Sequence, residues 1–432
     1  MLDRKFVLDR PDQVAENCRR RGVAVDVDRF VELEVERRAK QLEVERLNRD
    51  ANEVAKSIGK AKDESERESR KAEGRRLREA VTALQAELEQ LAVQSDEILK
   101  RIPNLTHPDA PIGGEEASRE IARGKTPLPT FDFQPRDHVE IGERLDLIDF
   151  EGGAQVAGHG FYFLKNEAVL LELALQQFAV NLLIEQGFTP AITPDLARNE
   201  ILEGIGFIPR GQETQIYSVE GTDLSLVATA EITLGGLMSG RVFDADELPL
   251  HVCGISHCYR TEAGAHGRAT RGLYRVHQFT KVEMFAFTRP EESDQTLEYF
   301  RSLECRIFDE LGLPYRVIDT ASGDLGGPAY RKYDLEAWMP GRGDKGEFGE
   351  VTSTSNCTDY QARRLNIRFK NKGEKGTHFV HTLNGTAVAC SRTILAILEN
   401  YQQADGSVVV PPALRPYVGR ELIARRPSLE KV

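Results

Sequence analysis

The strongest pattern along the chain is a heptad-like alternation of apolar and polar positions in its first quarter. Leu33, Arg37, Lys40, Val44, Leu47, Ala51, Val54 and Ile58 recur at spacings of four and three, which places them on one stripe of a helix. Leu77, Val81, Leu84, Leu88, Leu91, Ser95, Ile98 and Ile102 repeat the same spacing. Between them GKAKDESERESRKAEGRR is polar throughout, so the two helices are expected to fold back as an antiparallel hairpin. Arms of about 28 residues rising about 1.5 Å per residue would be about 40 Å long. Taken alone, such a hairpin reads as a spacer or an oligomerisation element. Its basic tip (Lys60, Lys62, Arg67, Arg70, Lys71, Arg75, Arg76) is interleaved with acidic residues and reads as a solvated face.

The helical period stops at IPNLTHPDAPIGG, where Pro and Gly cluster. This predicts an N-terminal arm domain over 1–110, a linker over 111–130 and a second domain over 131–432. Within the latter, AVLLELALQQFAVNLLIEQGF (168–188) reads as a long amphipathic helix, followed by TPAITPDLA. The remainder suggests antiparallel strands with helices beside them, an α+β plan.

Composition changes this picture little. A 432-residue chain, 40% hydrophobic and 29% charged, is of a size for two or three domains and has the balance of a soluble globular enzyme. No apolar run is expected to cross a bilayer, and MLDRKFVLDRPDQV resembles neither a secretory signal nor a transit peptide. Six scattered cysteines make no disulfide framework and suit a reducing compartment, so a cytoplasmic location is expected. The net charge of −12 argues against a general affinity for phosphate backbones, yet local basic patches decide that question.

The chemistry concentrates in CYRTEAGAHGRATRGLYRVHQFTKVE, Cys258 to Glu283. If its flanks are strands joined by AGAHGRATRG, alternation puts Arg275, Phe279, Lys281 and Glu283 on one face, and Arg260 and Glu262 on one face of the partner. Phe279 and Glu283 would then stand about 13 Å apart at about 3.3 Å per residue. That suits an aminoacyl-adenylate: an aromatic surface for the purine, guanidinium groups for phosphate and a carboxylate for an ammonium or hydroxyl group. Singly, a strand Phe is usually core and an Arg–Glu pair a surface bridge; the set is harder to dismiss. In HVCGISHC, His251, Cys253 and His257 would share one face while Cys258 points to the other, a spacing that matches no common zinc motif. The glycines of SGDLGGPAYRKYDLEAWMPG form no phosphate-loop signature and read as turns.

This segment resembles motif 2 of the class II aminoacyl-tRNA synthetases, and RTEAG…TRGLYRVHQFTKVE in particular is similar to the seryl-tRNA synthetases. GFTPAITP (187–194) resembles motif 1, with which the class builds its dimer. HTLNGTAVACSRTILAILENYQ (381–402) resembles motif 3, and FGEVTSTSNCTDYQARRLNIRF (348–369) the segment before it. The resemblance spans nearly the whole chain and assigns the N-terminal hairpin to tRNA binding. It implies a class II antiparallel-sheet catalytic domain flanked by helices, working as a cytoplasmic homodimer on ATP, Mg2+, L-serine and tRNA(Ser). A selenocysteine tRNA is left open as a second acceptor.

Carried over residue by residue, Arg260 would hold the α-phosphate and the serine carboxylate, Glu262 the adenosine end, Arg275 the γ-phosphate, and Phe279 would stack on adenine. Thr261, Val351 and Thr352 complete the ATP set, Glu350 and Ser353 match the divalent-metal ligands, and Arg392 holds phosphate near a helix start. Serine would be read by Thr229, Ala230, Glu231, Glu283 and Thr386, with Arg260 at its carboxylate. Ser391 stands where many bacterial relatives carry glycine. Two rivals remain open: an amino-acid-activating relative that loads a carrier protein, in which the long arm would be unusual, and a non-catalytic paralogue, which would tend to lose Arg260, Arg275 and Arg392.

Overall fold

The computed structural model describes residues 1–207, 215–263 and 272–425. They form two compact units, Met1–Leu105 and Thr106–Val432.

The first unit is built on α1 (Val27–Ile58) and α2 (Glu64–Arg101), which pack along each other. Val44, Leu47, Ala51, Leu77 and Val81 bury their side chains between them, flanked by Val54, Leu84 and Leu88. This is the stripe read from the spacing. The helices have 32 and 38 residues and exceed the expected 28, because capping rather than hydrophobicity decides where they start. Asp26 accepts a hydrogen bond from Arg29 N at 2.8 Å, and Asp63 accepts one from Glu66 N at 2.8 Å while the Glu66 carboxylate accepts from Lys62 N at 2.6 Å. Most of the polar stretch expected to be connector is therefore helix, and the connection shortens to residues 59–63.

The second unit holds an eight-stranded sheet, confirming the α+β plan. Its strands are β1 (Arg119–Arg123), β2 (Thr189–Ile192), β3 (Leu250–Tyr259), β4 (Gln278–Thr288), β5 (Tyr315–Asp319), β6 (Arg331–Met339), β7 (Glu347–Asn356) and β8 (His381–Ala389). They lie in the order β1-β5-β6-β7-β8-β4-β3-β2, antiparallel except for β2, which runs parallel to β3 at one edge. The span 111–130, expected as linker, contributes the other edge, since Arg119–Arg123 pairs with Tyr315–Asp319.

One face of the sheet is covered by α3 (Glu167–Glu185), α5 (Ser293–Glu310) and α6 (Cys390–Asn400). Leu171, Leu175, Phe300, Ile307, Ile394 and Leu398 pack there with Val282, Met284, Leu335 and Leu383. The short helix α4 (Ala230–Leu237) packs with Phe285 and Phe287 in a second core. The expectation that no segment could cross a bilayer needs one correction. α3 has the length and the mean hydropathy, 1.5, of such a span, but half of that window is buried inside the fold, as a core helix requires.

Candidate active site

The sheet positions the site through β4. Phe279, Lys281 and Glu283 alternate onto one face, and the same face continues into Phe285 and Phe287 of the second core. A cleft lies over this face, lined by Arg260, Glu262, Phe279, Lys281, Glu350 to Ser353, Thr386 and Arg392, together with Tyr274, Val276, Ala389 and Ser391. Residues from β4, β7, β8, α6 and the two ends of the motif 2 loop thus meet at one opening.

Two irregularities aim the side chains. In β7, Thr352 pairs with Leu335 and Glu350 with Glu336, so Val351 is an extra residue. Glu350 and Ser353, three apart, would face opposite sides of a regular strand; the bulge lets both line the cleft. In β8, Thr386 pairs with Glu283 and Val388 with Val282, so Ala387 is likewise extra.

At one end of the cleft the Arg260 guanidinium carbon sits 5.4 Å from the centre of the Phe279 ring. Arg392, in the first turn of α6, donates to Glu350 O at 2.9 Å and to Tyr274 O at 3.1 Å, and pairs with the Glu350 carboxylate at 3.3 Å. Burial works to raise the Glu350 carboxyl, but the charges of Arg392, Lys332 and Arg260 outweigh it and hold it below its ordinary value. At the other end Glu283, 2% exposed, pairs with Lys281 Nζ at 2.5 Å and accepts from Thr386 Oγ1 at 3.1 Å, while Lys281 donates to Thr386 Oγ1 at 3.3 Å.

Glu231 belongs to the same end. Thr229 caps α4 by accepting from Glu231 N at 3.2 Å, with Ala230 buried beside it. The Glu231 Oε1 accepts from Gln361 Nε2 at 2.6 Å and Asn384 Nδ2 at 2.9 Å. Burial, reinforced by the charge of Glu283, pushes this carboxyl up to about 7 against the opposing pull of Gln361, Lys281 and Arg260.

The sequence-derived set is thus largely gathered. Arg260, Glu262, Phe279, Glu350, Val351, Thr352, Ser353, Thr386 and Arg392 line the cleft, and Glu283 bonds to two of its lining residues. Arg275, Thr261, Thr229, Ala230 and Glu231 do not line it. Arg275 pairs instead with Glu262 at 3.2 Å. The shared strand faces expected for Arg260, Glu262 and Arg275 are corrected: β3 ends at Tyr259, β4 begins at Gln278, and Glu262 takes a left-handed φ of 50°. Thr261 N turns away from the ladder to donate to Gln215 O. The loop AGAHGRATRG falls outside the described residues except for Ala263 and Gly272.

Sequence reasoning gave no role to Lys281, Tyr274, Gln361 or Asn384. Alternation marked Lys281 as sharing the site face; nothing local marks the other three, which long-range pairing brings in. In HVCGISHC, His251 stacks on Phe188, His257 pairs with Asp195 at 3.1 Å, and Cys253 and Cys258 are buried.

Comparison with known proteins matches this geometry. Residues 216–401 fit the class II tRNA synthetase core domain (G, H, P, S and T), and residues 1–106 the seryl-tRNA synthetase N-terminal domain. A serine–tRNA ligase of Rhodopirellula baltica is 62% identical over 98% of this chain and 99% of its own, and one of Rubrobacter xylanophilus is 54% identical over 99% and 100%. The crystal structure of seryl-tRNA synthetase from Pyrococcus horikoshii complexed with ATP superposes with a TM-score of 0.91 at 40% identity, covering 99% of this chain and 100% of that one. That of the cytoplasmic serine–tRNA ligase from Naegleria fowleri with AMP reaches 0.84 at 32%, covering 96% of each. With both units matched and identity above half over almost the full length, the chain belongs to the seryl-tRNA synthetase family.

Proposed function

We propose that this chain activates L-serine with ATP as seryl-adenylate and transfers the seryl group to the 3'-terminal ribose of tRNA(Ser). The observation that carries the reading is one cleft lined by an aromatic ring, two arginines, Lys281 and Thr386, with the last two bonded to the buried Glu283 carboxylate. Its relatives from R. baltica and R. xylanophilus are serine–tRNA ligases, and that from P. horikoshii binds ATP.

In this reading adenine stacks on Phe279 with Glu262 at its edge, and the α-phosphate lies between Arg260 and Arg392. Arg275, now paired with Glu262, swings to the γ-phosphate as ATP arrives. The serine ammonium meets Glu231 and Glu283, and its hydroxyl meets Glu283 and Thr386. A pocket built around a hydroxyl leaves its own polar groups unpaired when alanine enters, so alanine is rejected strongly, whereas exclusion of threonine depends on packing against one methyl. The serine carboxylate attacks the α-phosphorus, pyrophosphate leaves, and the arginines neutralise the developing charge; the chain needs no nucleophile of its own. The ribose hydroxyl of tRNA then attacks the mixed anhydride and releases AMP.

The class implies Mg2+. The donors present suit it: the Glu350 carboxylate is kept ionised by its neighbours, and with Ser353 it offers hard oxygens on the cleft wall. Glu350 and Ser353 would hold the ion, which when bound neutralises phosphate charge.

We further assign the α1–α2 hairpin to tRNA. Arg67, Arg70, Lys71 and Arg76 are engaged with glutamates of their own helix, while Lys60, Lys62 and Arg75 make no ion pair among the described residues and are exposed. The active species is taken as a homodimer joined through the edge strand β2 and its surroundings, where Ile192 is 84% and Leu173 57% exposed. All six cysteines are unpaired, which suits the cytoplasm. The test is ATP–pyrophosphate exchange with each of the twenty amino acids, followed by charging of tRNA(Ser). Serine-selective exchange with charging is expected; exchange without charging would favour a carrier-loading enzyme, and neither a non-catalytic protein.

A further inference from the structure

α6 begins beside the cleft with Arg392 and ends, two turns later, with Glu399, which is 1% exposed. The Glu399 Oε1 accepts from the His138 backbone N–H at 3.1 Å and lies 2.8 Å from His138 Nδ1, while its Oε2 accepts from Gly341 N at 2.8 Å. On the far side of the ring, His138 Nε2 accepts from the backbone N–H of Leu273 at 3.0 Å. A backbone amide only donates, so Nε2 carries the lone pair and the proton sits on Nδ1, facing the carboxylate. His138 is 7% exposed. The approach is close enough to need glycine next door: Gly272 has φ +79°, and a Cβ there would come within 2.0 Å of Nε2.

The residue after Leu273 is Tyr274, whose carbonyl accepts from Arg392 Nε at 3.1 Å and whose ring centre lies 4.6 Å from the Arg392 guanidinium carbon and 4.3 Å from that of Arg342. Consecutive residues at the end of the motif 2 loop are thus gripped by opposite ends of one helix, Leu273 by Glu399 through His138 and Tyr274 by Arg392.

We infer that His138 is a positioning residue for ATP: through Leu273 and Tyr274 it sets the orientation of Arg392, although it does not line the cleft. The inference rests on the reading of the cleft as an ATP site. A long guanidinium side chain held before the nucleotide arrives loses less freedom on binding, which lowers KM for the ligand it contacts.

Two substitutions separate the two sides of the ring. His138→Asn places an amide nitrogen near Nδ1 to donate to Glu399 but reaches nothing at Leu273; His138→Gln is long enough to offer an oxygen near Nε2 to Leu273. In serine-dependent ATP–pyrophosphate exchange, His138→Asn is expected to raise KM for ATP about tenfold with KM for serine within about twofold, and His138→Gln to restore most of the ATP value. Active sites are counted by stoichiometric pyrophosphate release, so partial unfolding changes the count and not KM. Equal ATP KM values in both variants and the native protein, or parallel rises for both substrates, would overturn the proposal. Should His138→Asn not fold, Gly272→Ala strains the same contact from the loop side, and an unchanged ATP KM there would overturn it equally. Absence of serine-dependent exchange in the native protein would instead overturn the reading of the cleft.

Discussion

At the scale of single residues the cleft is a problem in charge balance. Lys281 compensates Glu283, so the nearby Glu231 has no cation of its own and holds its proton up to about pH 7. In the proposed reading an arriving serine α-ammonium would supply that cation and favour ionised Glu231, so serine binding would release a proton below this pH. The KM for serine should therefore fall as pH rises from 6 to about 7 and flatten above, a trend that exchange kinetics between pH 6 and 8.5 would display; a KM constant over that range would remove Glu231 from the ammonium site. The stability of the empty protein runs the other way. A carboxyl raised from 4.5 keeps its proton in the fold longer than in the unfolded chain, so its contribution is full below 4.5 and declines as pH rises through 7. Glu231→Gln should then unfold at a higher temperature than the native protein at pH 8, with a smaller gain at pH 5. Glu283→Ala leaves Lys281 buried with no carboxylate partner at the hydroxyl end, and should abolish serine activation; exchange kinetics unchanged in serine would contradict its role.

At the scale of elements the proposed division of labour follows the two units. Each helix of the hairpin starts at an aspartate cap, and the two bury a thin apolar seam between them, so the arm carries a core of its own. With the arm assigned to tRNA as proposed, removing residues 33–102 should leave serine-dependent exchange within about threefold of the native protein while tRNA charging falls by about a thousandfold or more. Loss of both activities together would argue that the arm also shapes the catalytic unit. In the sheet, the bulges at Val351 and Ala387 are the elements' own contribution to the site, because they let Glu350 with Ser353, and Thr386 with Ala389, line the same cleft.

At the scale of the whole molecule the edge strand β2 is paired on one side only among the described residues, and Ile192, Leu173 and Leu196 are exposed around it. An apolar sheet edge left in water invites pairing. Sedimentation should find a dimer of about twice 48.4 kDa, shifted toward monomer by Ile192→Asp. A native protein monomeric at micromolar concentration would rule out that interface.

Much was legible in the order of residues alone. The seam from Leu33 to Ile58 and from Leu77 to Ile102 is a local periodicity, and Phe279, Lys281 and Glu283 share a face because a strand alternates. Helix ends were less legible, since a stripe marks packing and Asp26 and Asp63 mark starts. Arg260, Glu262 and Arg275 stand where the ladder has ended, so alternation has no hold on them. Only the tertiary structure decides which distant residues meet: Gln361 and Asn384 on Glu231, Tyr274 on Arg392, and His138 between Glu399 and Leu273. Those contacts join positions more than 100 apart in the chain, and no spacing rule reaches that far; the packing of helices and loops onto the sheet sets them.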